Sequence, residues 1–482
     1  MKNLFANVIF VPDFLRATPQ HGTGPGYHGW ADVCFASLGN AAVMSGFGVV
    51  VSTLAIATTQ LTGSPVAGTF SLTLEFASRA AISIPASNLS QKWGRRPVIV
   101  TSALCGVGGS LLVALDLYVR SYALGILGIC GVGAANGVSQ QLRFVAADAV
   151  RGGHKKRALS VCVAGGALAA FVGPSIAIAT RLLLQKEYAG CFLAMAGCYL
   201  VLAVFAAAAR SAGTATVRDD DDDDAEKNEK NASASKKNQD IQESLYMSDV
   251  ATANTPTLVS LFKSSPNARK GTVCVSCAWT AMFLVMSAAP IAMTGFDEGG
   301  YSFDRSTNAL RMHLLCMFVP GLFGTGDLVN LFGADFVAGL GIALFALVSF
   351  ATYVFVPESS GIGGTTTSSS SVSTAGSTNT TADQIPYWAF LYLLIVLGLA
   401  WHLVFVAGSG LLANEPAKIQ GAAESVAFAA VAICASCSGF ILTEVGWAGL
   451  NLFCAPITAA LGAYLLYERW VNRLQKMSLR VV

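Results

Sequence analysis

The chain has 482 residues, 54% of them hydrophobic and only 12% charged, with a positive mean hydropathy. This is too apolar for an ordinary soluble protein, and the net charge of +2 adds little. The sequence holds no folded basic module for nucleic acid and no G-x-x-x-x-G-K-[ST] loop for ATP, and its five His have no paired metal-ligand spacing; no enzyme, metal or cofactor is expected.

Apolar runs of ~20 residues, each long enough to cross ~30 Å of hydrocarbon, recur along the chain and read as helices. They are continuous rather than alternating, which disfavours a β-barrel. The expected class is an all-α polytopic membrane protein embedded in a lipid bilayer, with twelve transmembrane helices in two sets of six.

Residues 1–30 form a polar, Gly- and Pro-containing arm in which Leu4 to Leu15 is too short and interrupted for a signal peptide, so a cytoplasmic arm is expected. The first bundle is predicted over 31–209, with spans near 33–57, 66–88, 97–118, 122–144, 158–182 and 188–209. Two basic turns interrupt it, Lys92-Trp-Gly-Arg95-Arg96 and Arg151-Gly-Gly-His-Lys155-Lys156-Arg157, and they lie two spans apart, hence on one side. From 210 to 270 the chain turns polar and low in complexity, with an aspartate run from Asp219 to Asp224. It cannot bury a core and reads as a disordered cytoplasmic linker, either a solvated spacer or a partner-binding segment.

The second bundle is predicted over 271–467, with spans near 272–294, 309–331, 334–356, 387–411, 420–442 and 447–467, followed by a basic cytoplasmic tail, 468–482. A Ser/Thr-rich loop, 359–386, separates the ninth and tenth spans and contains Asn379-Thr380-Thr381, an N-glycan acceptor if it faces a lumen or the outside. The twelve cysteines lie almost wholly inside apolar runs and read as small interior residues rather than disulfide or metal ligands.

Alternating the loops from a cytoplasmic amino terminus leaves only Arg120, Arg181, Lys186, Arg305 and Arg311 outside and Arg79 within a span; every other Lys and Arg falls inside. That bias places both termini in the cytoplasm. Whether the membrane is the plasma membrane or an internal one stays open. A monomer is expected.

The turn Ser87-Asn-Leu89-Ser-Gln91-Lys92-Trp93-Gly94-Arg95-Arg96 is similar to the signature between the second and third helices of the major facilitator superfamily, written G-x-L-x-D-R-x-G-R-R. Leu89, Lys92, Gly94, Arg95 and Arg96 fit the pattern, while Ser87 and Gln91 replace its first glycine and its aspartate. The stretch Gly326-Asp-Leu328-Val-Asn-Leu-Phe332-Gly333 aligns with it on the glycine and repeats the Leu, the aromatic and the Gly. Such parallel six-helix halves are the architecture of that superfamily, with a site between them near mid-membrane.

Gln140-Gln141-Leu-Arg143 through Asp148, Arg157-Ala-Leu-Ser, Ala164-Gly165-Gly166, Gly173-Pro174 and Trp279 through Met293 resemble a branch of the family known mostly from bacterial genomes. The resemblance implies the major facilitator fold, solute transport by alternating access, and a cytoplasmic gate built from Lys92, Gly94, Arg95, Arg96, Arg143 and Asp148. In that gate Asp148 pairs with Arg95 or Arg96; a solvated loop charge is the other reading.

Polar residues within spans are the candidates for cargo or proton chemistry. Glu75 and Arg79 are four apart on one face of the second span, spaced for an ion pair. Glu75 is either a carboxylate that titrates with access or the structural counter-ion of Arg79, and Arg79 could anchor an anionic solute. His402 is a proton acceptor, a ligand or a bonded interior imidazole. Asn40, Asn136, Gln140, Trp279 and Trp401 add hydrogen bonds or stacking around a central cavity, or simply pack.

The expected activity is secondary transport of a small organic solute, with proton coupling through Glu75 and His402 as a hypothesis. A passive facilitator of the same fold and a receptor or scaffold that uses the linker are the competing readings.

Overall fold

The computed structural model describes residues 29–63, 65–150, 154–208, 265–294, 300–355 and 385–481. Among these, every regular element is a helix. The first half comprises α1 (Trp30–Thr62), α2 (Pro65–Trp93), α3 (Arg95–Val119), α4 (Tyr122–Ser139), α5 (Leu142–Asp148), α6 (Lys155–Ala164), α7 (Gly166–Thr180) and α8 (Ala189–Ala208). The second comprises α9 (Pro266–Met286), α10 (Ala289–Thr294), α11 (Phe303–Phe318), α12 (Thr325–Phe332), α13 (Ala334–Phe355), α14 (Tyr387–Leu412), α15 (Ala417–Leu452) and α16 (Cys454–Val481).

Ten helical stretches are long and apolar enough to cross a membrane, and the bent pair from Phe303 to Phe332 makes an eleventh. The twelfth rod is α2, of spanning length but carrying Glu75 and Arg79. Burial sorts these rods into inner and outer ones, as expected when apolar residues surround a helix on every side. The apolar core of α1 is 94% buried and that of the span containing α9 is 83% buried, whereas α3 and α8 bury 44% each. Leu104, Leu111 and Leu115 on α3 and Phe336, Leu340 and Phe350 on α13 point outward, a surface suited to lipid.

Several rods that read as continuous in sequence are broken. The fourth span divides into α4 and α5 at Gln140-Gln141, the fifth into α6 and α7 at Gly165, and the seventh into α9 and α10 at Ser287-Ala288. The eighth bends by 61° between Phe323 and Thr325. Pro320 lies in the 3-10 turn Val319–Phe323 and removes a backbone donor, and Gly324 at φ +79° completes the corner. The stretch from Gly326 to Phe332 is therefore the helix α12 rather than a turn.

Two boundaries differ from the sequence expectation. The second bundle starts at Pro266 instead of 271, because Ser265 caps α9 by accepting from the Ala268 amide and Pro266 sits in its first turn. The basic stretch expected as a tail from 468 is helical and continuous with the last rod, α16, which runs through Val481. Most of the arm, the greater part of the 210–270 linker, and the loop containing Asn379 lie outside the described residues.

The duplication is visible in the backbone. Gly94 adopts φ +84°, ψ 161° and its counterpart Gly333 adopts φ +84°, ψ 155°. This is a region open essentially to glycine alone, so both halves use the same corner between their second and third rods.

The halves meet along two seams. In one, α2 and α15 touch along their length: Ser87 Oγ donates to the Ala417 carbonyl, Ser425 Oγ donates to the Ala80 carbonyl at 2.8 Å, Thr73 Oγ1 donates to Ser436 Oγ at 3.5 Å, and Gly439 fits against Thr69. In the other, α7 packs against α11, with Gly166 against the Phe318 ring and Arg311 Nη2 3.2 Å from Ser175 Oγ.

Candidate functional site

At the centre of the first half, Glu75 Oε1 accepts hydrogen bonds from Arg79 Nε at 2.8 Å, Arg79 Nη2 at 2.5 Å and Asn136 Nδ2 at 2.6 Å. Asn136 Oδ1 in turn accepts from the Tyr199 hydroxyl at 2.7 Å. The network ties α2, α4 and α8 together, and close helix approach makes it possible: a Cβ on Gly137 would lie 2.9 Å from the Arg79 Cα. Both charged side chains are fully buried. An ion pair in such a setting holds only when further hydrogen bonds support it, as Asn136 does here.

The second half supplies rings. The centroid of Trp279 on α9 lies 5.1 Å from that of Trp401 and 5.9 Å from that of Phe405, both on α14, and 6.0 Å from that of Phe428 on α15. Trp401 and Phe405 stack at 4.4 Å with 14° between their planes. The first half adds Phe47 and Phe76, each over 6 Å from Trp279 and in edge or tilted contact with it. The Arg79 guanidinium carbon sits 4.6 Å from the Phe47 ring, 4.3 Å from Phe76 and 5.6 Å from Phe428. Cation, ion pair and aromatic cluster thus form one contiguous centre spanning both halves.

A second buried ion pair lies toward the end of the bundle that carries Gly94 and Gly333, here termed the basic end. Arg143 Nη2 contacts Glu424 Oε1 across the interface, and the guanidinium carbon of Arg143 is 4.6 Å from the Phe405 ring and 4.7 Å from Phe144. Glu424 was not singled out in the sequence, although a carboxylate near the start of an apolar span was signal enough. Tyr199 gave no such signal, because an aromatic in an apolar span looks like packing.

Nearby, Arg95 Nη2 lies 3.4 Å from Asp148 Oδ2 and 3.0 Å from Gln420 Oε1, joining the signature turn to α5 and to α15. Lys92 is exposed, and Arg96 has a buried Nε. Arg157 and Asp327 approach to 3.9 Å across the halves. At the opposite end, Arg181 stacks over Phe303 at 4.8 Å, and Tyr188, held at φ +67°, meets the same ring at 6.0 Å. Tyr188 lies in the loop between α7 and α8, and burial pushes its phenol up from the ordinary value. Side chains of the two halves therefore touch at both ends and at the centre.

The remaining candidates sit elsewhere. His402 is next to Trp401, so about 100° of helix rotation separates them. Its Nδ1 donates to the Met317 carbonyl at 2.6 Å and its Nε2 is 3.0 Å from Thr325 Oγ1, which places it across the bend between α11 and α12. Asn40 Nδ2 donates to the Cys162 carbonyl at 3.0 Å, beside the break at Gly165. Gln140 is buried at the end of α4. Among the described residues, no group of three or more His, Cys, Asp or Glu is placed to hold a metal ion, and the cysteines are free thiols.

Residues 33–381 match the profile of the Major Facilitator Superfamily. The chain is 26% identical over 417 residues to the riboflavin transporter RfnT of Brucella anthropi, covering 85% of this chain and 89% of that one. Among solved structures, the proton:xylose symporter XylE superposes with a TM-score of 0.61 at 12% identity, covering 91% of this chain and 95% of that chain. The human organic anion transporter TETRAN gives 0.60 at 13% identity, with coverage of 92% and 100%. The Escherichia coli fucose:proton symporter FucP gives 0.55 at 12% identity, with coverage of 90% and 98%. Twelve helical rods in two duplicated halves, the shared glycine corner and the match across most of the chain lead to one conclusion: the protein belongs to the Major Facilitator Superfamily.

Proposed function

We propose that the protein is a secondary transporter of flat heteroaromatic solutes of the flavin class, riboflavin foremost. The carrying observation is the central cluster of Trp279, Trp401, Phe405, Phe428, Phe47 and Phe76 closed on one side by the Arg79 guanidinium. A planar, electron-poor ring system stacks on such faces, and the curated relative named as a riboflavin transporter supports the choice. Loading requires the halves to part, since the same rings meet one another here. Alternating access supplies that parting, one end at a time.

In this reading the basic end faces the cytoplasm, both termini lie there, and the protein acts as a monomer. Proton coupling is assigned to Glu75, a buried carboxylate at the centre, with His402 as a second site.

The test is uptake of labelled riboflavin into cells deficient in riboflavin synthesis and import. Expression should restore saturable uptake, and Trp279→Ala should remove it at equal protein level. Absence of saturable flavin uptake by correctly inserted protein overturns the cargo. If uptake proceeds but neither an uncoupler nor Glu75→Gln alters its pH dependence, Glu75 does not couple it to protons, and a passive facilitator replaces the symporter or antiporter.

A further inference from the structure

Glu75 uses its two carboxylate oxygens unequally. Oε1 accepts three hydrogen bonds, from Arg79 Nε, Arg79 Nη2 and Asn136 Nδ2, while Oε2 is buried with no partner among the described residues. The guanidinium is likewise divided, since Nε and Nη2 bind Glu75 and the buried Nη1 has no such partner. Two more buried donors in the same cluster are unpartnered, Trp279 Nε1 and Trp401 Nε1. All four side chains are at most 1% exposed.

Buried polar atoms left unpaired are costly and therefore uncommon, and four of them around one aromatic cluster call for a common explanation. They form a set of three donors and one acceptor. Arg79 lies where it can present Nη1 to a ring in the cluster, because its guanidinium carbon is within 5.6 Å of Phe428 across the interface and closer to Phe47 and Phe76. Oε1 is occupied by donors from within the first half, so Oε2 is the oxygen that remains for cargo.

We propose that Glu75 and Arg79 read the edge of the cargo ring, and that the edge is an imide, one N–H between two carbonyls. The imide N–H donates to Glu75 Oε2. One flanking carbonyl accepts from Arg79 Nη1, and the other accepts from a Trp279 or Trp401 indole N–H. This inference rests on the flavin reading above and narrows it: the recognised class is planar heteroaromatics that carry an intact imide, and ring stacking alone does not suffice. A site built around a buried acceptor rejects an analogue that cannot donate to it, because the acceptor is then left unpaired.

The experiment is competition against labelled riboflavin uptake by the full-length wild-type protein. The competitors are unlabelled riboflavin, riboflavin methylated at the imide nitrogen, and 5-deazariboflavin, whose imide is intact. The methylated analogue should compete at least about tenfold more weakly than riboflavin, and 5-deazariboflavin within about twofold of it. Glu75→Gln supplies the second arm. Its amide oxygen keeps the three donors of the Oε1 position, which turns the NH2 toward the cargo, so the preference for riboflavin over the methylated analogue should collapse to about twofold or less. Equal competition by the methylated analogue in the wild type overturns the imide assignment while leaving flavin transport standing. A preference that survives unchanged in Glu75→Gln at a measurable uptake rate also overturns it, since another group must then read the edge. Absence of riboflavin uptake in the wild type overturns the flavin reading itself and the imide assignment with it.

Discussion

In the first half the centre is polar: Glu75 binds Arg79 and Asn136, and Asn136 binds Tyr199. At the same depth in the second half it is aromatic, with Trp279, Trp401, Phe405 and Phe428 in contact. Yet the backbone plan is shared, down to Gly94 and Gly333 at the same φ of +84°. Duplication has preserved the frame and the two copies have diverged in chemistry. The first half holds the ion pair with only two of these rings, Phe47 and Phe76, and the second half holds Trp279, Trp401, Phe405 and Phe428, so the full central constellation exists only where the halves meet.

The sharpest way to break this contrast is on the polar side. Arg79→Leu leaves Glu75 buried beside Asn136 without its cation, and breaking such a pair should cost about 3 to 5 kcal/mol. The thermal midpoint of purified protein in detergent should fall accordingly. The double variant Glu75→Gln with Arg79→Leu should recover part of the loss, because no charge is then stranded. A midpoint unchanged by Arg79→Leu would mean that the polar half does not depend on its ion pair.

On the aromatic side, Trp279→Ala should cost about 3 kcal/mol, at the low end for a buried tryptophan, since five neighbouring rings can close part of the void. Denaturation monitored by circular dichroism would measure it. The shared frame is tested by Gly94→Ala and Gly333→Ala, each expected to cost about 1 to 3 kcal/mol for the same backbone reason. Clearly unequal losses would show that the two corners are alike in shape but not in energetic role. Smallest is Tyr199→Phe, which removes one hydrogen bond to Asn136 and should lower stability by about 1 kcal/mol. Its effect on uptake should be smaller than that of any change at Glu75 or Arg79.

The rods, the two halves and the glycine corner were legible in the sequence because hydrocarbon thickness sets the length of apolar runs and glycine marks a φ that other residues avoid. The Glu75 and Arg79 spacing was legible for a similar reason, as one helix turn is a fixed distance. Helix rotation was not. Trp401 and His402 are adjacent in sequence, but one joins the rings and the other bonds Met317 and Thr325 at the bend after α11. The helix break at Gln140-Gln141 has no proline near it, and neighbouring helices can satisfy the backbone groups that it frees, so local composition does not announce it. The break at Ser287-Ala288 does carry a signal, because Pro290 in the first turn of α10 has no N–H to give to the Met286 carbonyl. The pairing of Arg143 with Glu424 joins residues 281 positions apart, which only the assembled interface reveals.

The contact between α2 and α15 carries a mechanical implication. Its contacts are spaced like the teeth of a zip, hydrogen bonds at Ser87, Ala80 and Thr73 and then the close packing of Gly439 on Thr69 at the other extremity. Under the alternating access proposed above, undoing the teeth from either extremity would leave the rest as a pivot. A covalent staple at Ser87 and Ala417 would then trap a cup facing the other way, and the direction in which the trapped protein gapes would be chosen by where the staple is set.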